Sequence, residues 1–259
     1  MDLDFLVYQV LPYVALTTLI VGSVARYERD PFTWKSSSTQ LLRRKQLVWG
    51  SILFHVGVLV IAVGHLGGLL TPIWVFDAVG ISHSAKQIAA IVGGGIAAVL
   101  ALVGGAMLLH RRLFDPRIRA NSTVADTGIL ILLMFQLVLG IGTIGVSINH
   151  LSGDEMVKFM GWAQGLATFR MDAYALVVDV HWIFKLHLFF GMVTMILVPF
   201  TRLVHIFSAP LSYLWRPGFQ VVRSRRKRAL APRGRTRAAL EGQVRPHRGP
   251  ARPAPQPAE

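Results

Sequence analysis

The sequence predicts an all-α membrane protein: a five-helix transmembrane bundle with its N-terminus outside and its C-terminus in the cytoplasm. Three observations predict it. The 259 residues are 53% hydrophobic and only 15% charged, with a mean hydropathy of +0.51, too apolar for an ordinary soluble domain. The apolar residues come in five long blocks, each about the ~20 residues that a bilayer core requires. The loops between the blocks alternate between basic and nearly charge-free, which fixes a direction.

The five blocks are Val7–Val24, Leu47–Leu70, Ile88–Leu109, Thr127–Val146 and Trp182–Val204. In lipid each must be a helix, because every backbone polar group needs a partner within its own segment. The first block lacks the basic flank and small-residue cleavage site of a signal peptide, so it reads as a retained span. Arg26, Arg29, Lys35, Arg43, Arg44 and Lys45 lie between spans one and two. Arg111, Arg112, Arg117 and Arg119 lie between three and four, and Arg202, Arg216 and a dense basic run follow span five. The opposite loops carry only Lys86, and Lys158 with Arg170. The positive-inside rule then places the first loop in the cytoplasm.

The loop after span four holds Ser152-Gly-Asp-Glu155, which reads as a capping box with Ser152 as N-cap. Met156, Phe159, Met160, Ala163 and Leu166 follow at helical spacing. They predict an amphipathic helix, lying either on the outer membrane surface or on neighbouring loops. Residues 1–225 form the membrane domain, and residues 226–259, rich in Pro, Arg and Ala, read as a disordered cytoplasmic tail. Close to half of the 27 Lys and Arg residues follow Val204. The net charge of +14 therefore describes loops and a tail that contact water or anionic lipid, and no nucleic-acid partner is expected. There is no cysteine, which excludes disulfides, thiolate metal sites, iron–sulfur ligation and covalent haem attachment.

Ionisable residues inside a membrane are costly and mark function by default. FHVGVLVIAVGH, Phe54 to His65, carries His55 and His65, and span five carries His187 and His205. At 1.5 Å per residue the first two stand about 15 Å apart along a helix, and the second two about 27 Å. On continuous helices His187 and His205 share a face, and His55 and His65 lie roughly 80° apart. Spans two and five run in opposite directions, so His55 matches His205 in depth on the cytoplasmic side and His65 matches His187 near the outer side. Paired imidazoles suit haem iron, and bis-histidine ligation leaves no open iron position. The spacing thus favours a dihaem cytochrome b, with a histidine proton or ion relay and simple structural hydrogen bonding as alternatives. His181 is a substitute candidate for His187, whereas His83, His110 and His150 read as loop or interfacial residues. Gly57, Gly64, Gly67, Gly68 and Gly191 leave room for a macrocycle or close helix approach, and Gly93–Gly95, Gly104 and Gly105 suit tight helix packing. Pro199 should kink span five. Arg112 and Arg202, at the cytoplasmic ends of spans three and five, are candidates to hold haem propionates, against the plainer reading of positive-inside charge. Lys86 stands against the loop charge bias and at a helix N-terminus, which makes it a candidate functional cation or a plain interfacial lysine.

The segments FHVGVLVIAVGHLGGLLTP, VGGGIAAVLALVGGAMLLHRRLFDPR, MGWAQGLATF and KLHLFFGMVTMILVPFTRLVHIFSAP closely resemble the gamma subunit family of membrane-bound respiratory nitrate reductases. The likeness runs in order from about Leu11 to Arg223 and includes Trp162, Gln164, Arg202 and Pro210. The resemblance implies five spans, an outer N-terminus and two b haems. It implies that the residues matching His55 and His205 hold the cytoplasmic-side haem iron, and those matching His65 and His187 the outer one. It further implies quinol oxidation (menaquinol or ubiquinol) at the outer face, with Lys86 in the quinol site. Electrons would then pass to an iron–sulfur beta subunit and a molybdenum alpha subunit, where nitrate is reduced, in the inner (cytoplasmic) membrane. This chain has no nitrate chemistry of its own. A dihaem quinol-oxidising subunit of another membrane reductase shares the helical plan. The stretch His205–Val222, with Phe207, Leu211, Tyr213, Leu214, Trp215 and Phe219, reads as a docking surface for the soluble partners or as membrane-surface packing.

Overall fold

The computed structural model describes residues 2–35, 39 and 41–208. Most of the expected docking stretch and all of the basic tail lie outside the described residues. Six helices carry the architecture. They are α1 (Leu3–Arg29), α2 (Arg44–Leu70), α3 (His83–Phe114), α4 (Val124–Ser147), α5 (Asp154–Ala167) and α6 (Trp182–Leu197). With a short 3-10 extension to Phe200, α6 joins α1–α4 as five segments long and apolar enough to cross a membrane. Among the described residues there is no strand. Large apolar side chains stand exposed along the bundle, such as Val63 at 71% and Leu59 at 62% on α2, a surface that suits lipid and not water.

The helices begin where local chemistry supplies donors and acceptors. Ser82 caps α3, its Oγ accepting from Ala85 N. Thr123 and Asp126 form a reciprocal capping box at the start of α4. The expected box at Ser152 does not form. Gly153, at φ 89°, is the N-cap of α5, and Ser152 Oγ instead donates to Asp154 Oδ2 at 2.7 Å. A β-carbon on Gly153 would lie 2.9 Å from the His83 carbonyl oxygen, so both the backbone angle and the close approach require glycine there.

The most extensive contact is that of α2 on α3; α3 also packs on α4, α4 on α6, and α6 on α1. The α2–α3 contact is a backbone approach set by glycine. A β-carbon on Gly57 would lie 2.4 Å from the Ala97 carbonyl oxygen, and one on Gly104 would lie 2.3 Å from Phe54 N. Gly57 therefore serves helix contact, and Gly104 and Gly105 do as expected. Gly93 and Gly94 do not: a β-carbon on either would meet nothing within 4 Å. The same open space surrounds Gly64, Gly67 and Gly68.

α5 forms where its apolar spacing places it, and its apolar side packs on protein. Met160 and Trp162 are buried, and Phe159, Ala163 and Leu166 join Trp162 in a cluster with α1 and α6. Two side chains dock it. Pro12 has no N–H to offer the carbonyl of Tyr8 one turn back, and Trp162 Nε1–H donates to that carbonyl at 2.8 Å. Gln164 Nε2 donates to the Leu69 and Thr71 carbonyls, both at 3.0 Å, at the end of α2.

Pro199 does more than kink the fifth span. α6 stops at Leu197, a 3-10 turn covers Val198–Phe200, Thr201 is extended, and a second 3-10 segment runs Arg202–Ser208. His187 and His205 are thus not on one continuous helix. The α2–α3 contact gives a direct stability test. Gly104→Ala should lower stability in detergent by about 1–3 kcal/mol, because the clash is with backbone that cannot rotate away. Gly93→Ala should change little. Equal midpoints for both variants would contradict the glycine contact.

Candidate functional site

α2 and α6 are not one of the packed pairs in the bundle. They face each other across a slot bridged by histidines. The His55 and His205 rings have centroids 6.3 Å apart, and those of His65 and His187 are 6.1 Å apart. The depth match expected between spans two and five is therefore met by proximity at both levels, even though the path of span five differs. His181 does not compete for His65: it is the N-cap of α6, its Nδ1 accepting from Ile183 N. His110 and His150 are exposed and His83 is half-buried, and all three lie outside the two pairs.

The imidazoles are oriented from behind. The Nδ1–H of His55 donates to the Ser51 carbonyl at 2.7 Å and that of His65 to the Ile61 carbonyl at 2.8 Å, each one turn back. The Nδ1–H of His205 donates to the Arg202 carbonyl. A carbonyl only accepts, so Nδ1 carries the proton in these three rings and Nε2 keeps its lone pair for a ligand bond. This arrangement also uses the Nδ1 protons locally, and not in a chain from one titratable group to the next. His187 differs: its Nδ1 is buried with no hydrogen-bond partner. Gly140 makes room for that ring, since a β-carbon there would lie 3.2 Å from His187 Cε1.

Among the described residues no three His, Asp or Glu side chains gather, so the histidines meet only as pairs. A pair suits a metal that arrives with its own equatorial donors, as porphyrin iron does. The spacing fits as well. Centroids 6.3 and 6.1 Å apart leave room for one metal ion between each pair of imidazoles.

At the His55–His205 end, a cavity of about 590 Å³ is lined by both histidines together with Arg44, Arg111, Arg112 and Arg202, a size within the usual ~300–1,000 Å³ range for cofactor sites. Both expected cations therefore line it, and both are tied to one residue, Asp126. Arg202 Nε donates to Asp126 Oδ1 at 2.7 Å, and its Nη2 pairs with Oδ2. Arg112 Nη1 donates to the Asp126 carbonyl. Each guanidinium keeps further N–H groups for an anionic ligand. Asp126 was not expected as a site residue; its only signal is the Thr-x-x-Asp pattern that opens α4. Arg111 is buried and holds the preceding loop, donating to the Thr39 and Leu42 carbonyls.

At the other end, Lys86 lies in the first turn of α3 and is partly buried. Its Nζ donates to the Gly68 carbonyl at 2.9 Å, approaches Met160 Sδ at 2.7 Å and sits 3.8 Å from the Phe76 ring centroid. Gly68 is three residues beyond His65 on α2, so the lysine is tied to the helix that carries one of the upper histidines. Met160 is a weak acceptor, which leaves Nζ able to serve a stronger one.

The sequence matches the family model described as nitrate reductase gamma subunit over residues 4–225. The chain belongs to the nitrate reductase gamma subunit family. It is 46% identical to the respiratory nitrate reductase 2 gamma chain of Escherichia coli over 86% of its own length and 98% of that protein. It is 45% identical to the respiratory nitrate reductase 1 gamma chain of the same organism, with the same coverage. It is 40% identical to the nitrate reductase gamma chain of Bacillus subtilis over 82% of its own length and 94% of that protein. As a gamma subunit it is a membrane component of an oxidoreductase complex. The family match includes all four paired histidines and ends at residue 225.

Proposed function

We propose that this gamma subunit is the dihaem cytochrome b of a respiratory nitrate reductase, oxidising quinol at the outer face. The observation that carries the proposal is the pair of facing imidazole couples, at 6.1 and 6.3 Å, at two depths between α2 and the fifth span. The gamma chains of E. coli and B. subtilis, named as parts of nitrate reductases, support the choice of complex. The basic loops support an outer N-terminus and a cytoplasmic C-terminus. On that orientation the His55–His205 level is cytoplasmic, and the His65–His187 level is outer. The membrane is the inner (cytoplasmic) one, and the partners on its cytoplasmic face are the iron–sulfur beta and molybdenum alpha subunits.

Two b haems, when bound, supply one-electron carriage across the membrane with no open iron position for substrate. His55 with His205, and His65 with His187, would hold their irons. Arg112 and Arg202 neutralise propionates at the cytoplasmic-side cavity. Lys86 binds the quinol (menaquinol or ubiquinol) and steers the proton leaving its hydroxyl, from a position beside the carbonyl of Gly68. Protons released outside while electrons move inward would charge the membrane.

The ligand assignment is checked by His205→Ala in the assembled complex. The cytoplasmic-side haem should be lost while much of the outer one remains, read as haem per polypeptide and by reduced-minus-oxidised spectra. Loss of the outer haem alone would break the pairing. For Lys86→Ala, both haems should stay, and quinol-driven haem reduction should slow by roughly 100-fold. Nitrate reduction from an artificial donor that feeds the soluble subunits should continue. Quinol oxidation at the native rate in that variant would remove Lys86 from the site.

A further inference from the structure

The break at Pro199 leaves His205 without the support that a continuous helix gives. Proline has no N–H and disrupts the ladder before it, and Thr201 is extended. The segment is held instead by two charged side chains from other helices. Arg26, in the last turn of α1, donates Nη1–H bonds to the Pro199 and Thr201 carbonyls, both at 2.8 Å. Its Nε and Nη2 are fixed in turn by Thr33 Oγ1 and the Thr33 carbonyl, both at 3.1 Å. From the opposite side Asp126 takes Arg202 Nε at 2.7 Å, and the Arg202 carbonyl accepts the Nδ1–H of His205. The chain of contacts therefore runs from the first turn of α4 through Asp126 and Arg202 to the imidazole.

We propose that Asp126 and Arg26 are positioning residues that clamp the broken end of the fifth span between Pro199 and Arg202, so that His205 Nε2 is presented to His55 across the slot. The proposal rests on the reading of His55 and His205 as axial ligands. The Asp126–Arg202 pair is largely withdrawn from solvent, with side chains 15% and 17% exposed. Removing one partner of such a pair leaves an uncompensated charge beside the cavity, which drives the other to move. Arg26 works through hydrogen bonds to the two carbonyls that flank the break. Loss of either contact frees the Arg202 backbone, and with it both the carbonyl that orients His205 and the direction of its lone pair. The other level has no such dependence, because His65 and His187 sit within regular helix.

The test uses the purified complex with Asp126→Asn, Arg26→Gln and Thr123→Ala, read by haem per polypeptide and by the electron paramagnetic resonance signal and midpoint potential of each haem. Asp126→Asn and Arg26→Gln should each shift the signal and potential of the cytoplasmic-side haem and weaken its retention by roughly tenfold or more, the effect typical of residues that orient a metal ligand. The outer haem should be unchanged. Thr123→Ala removes the hydroxyl cap of α4 but keeps the Asp126–Arg202 pair, and should leave both haems as in the native chain. A native signal at the cytoplasmic-side haem in both clamp variants, or a parallel loss of both haems, would overturn the proposal. A native complex containing no haem would overturn the ligand reading itself, so the two failures are distinguishable.

Discussion

The constraint on which the structure depends is a gap held open between two helices. α2 carries His55 and His65, α6 carries His187, and the 3-10 segment beyond it carries His205, yet the two helices gain their packing elsewhere, α2 on α3 and α6 on α4 and α1. Were α2 and α6 to close on each other, the imidazoles would collide or rotate away. The bundle therefore ties each wall to a different partner. On one side the tie is the glycine contact of Gly57 and Gly104, where backbones approach too closely for any β-carbon. On the other it is the cluster of Tyr8, Trp162, Val177 and Met192, drawn from α1, α5, the loop before α6, and α6 itself. Apolar packing in lipid has little hydrophobic driving force, so close contact and specific hydrogen bonds must hold the geometry.

Those hydrogen bonds appear where proline interrupts or follows a helix. Pro12 leaves the Tyr8 carbonyl to Trp162. Thr71, which precedes Pro72, gives its carbonyl to Gln164. Pro199 and Thr201 give theirs to Arg26. An unmet carbonyl in a low-dielectric setting is expensive, so each interruption of a span demands a long polar side chain from another element. The interruptions thereby become tertiary fasteners: the first two fix α5 over one end of the bundle, and the third fixes the strand of chain that carries His205 at the other.

The spans and the histidine pairing were legible in the sequence because both follow from one-dimensional rules. Hydropathy over ~20 residues gives a span, and antiparallel direction with a fixed rise gives depth. The depth match survived the break at Pro199, even though the expectation of a shared helical face did not, since the extended Thr201 and the 3-10 turn reset the angle. Asp126, Arg26 and Trp162 were not legible in their roles. An aspartate in a capping box reads as a local device, and its pairing with Arg202, 76 residues later, is a tertiary event. The glycines were legible only as a class. Gly104 meets backbone and Gly93 meets nothing, a distinction that depends on which face α3 turns to α2.

The account stands on two imidazole couples that would each hold the iron of one b haem. It is tested most directly by quantifying haem per polypeptide in the native chain purified within its complex, together with its reduced-minus-oxidised visible spectrum. The account predicts two haems per chain, both low-spin and both of b type, since no cysteine is available for covalent attachment. A chain that carries none, or only one, would contradict it.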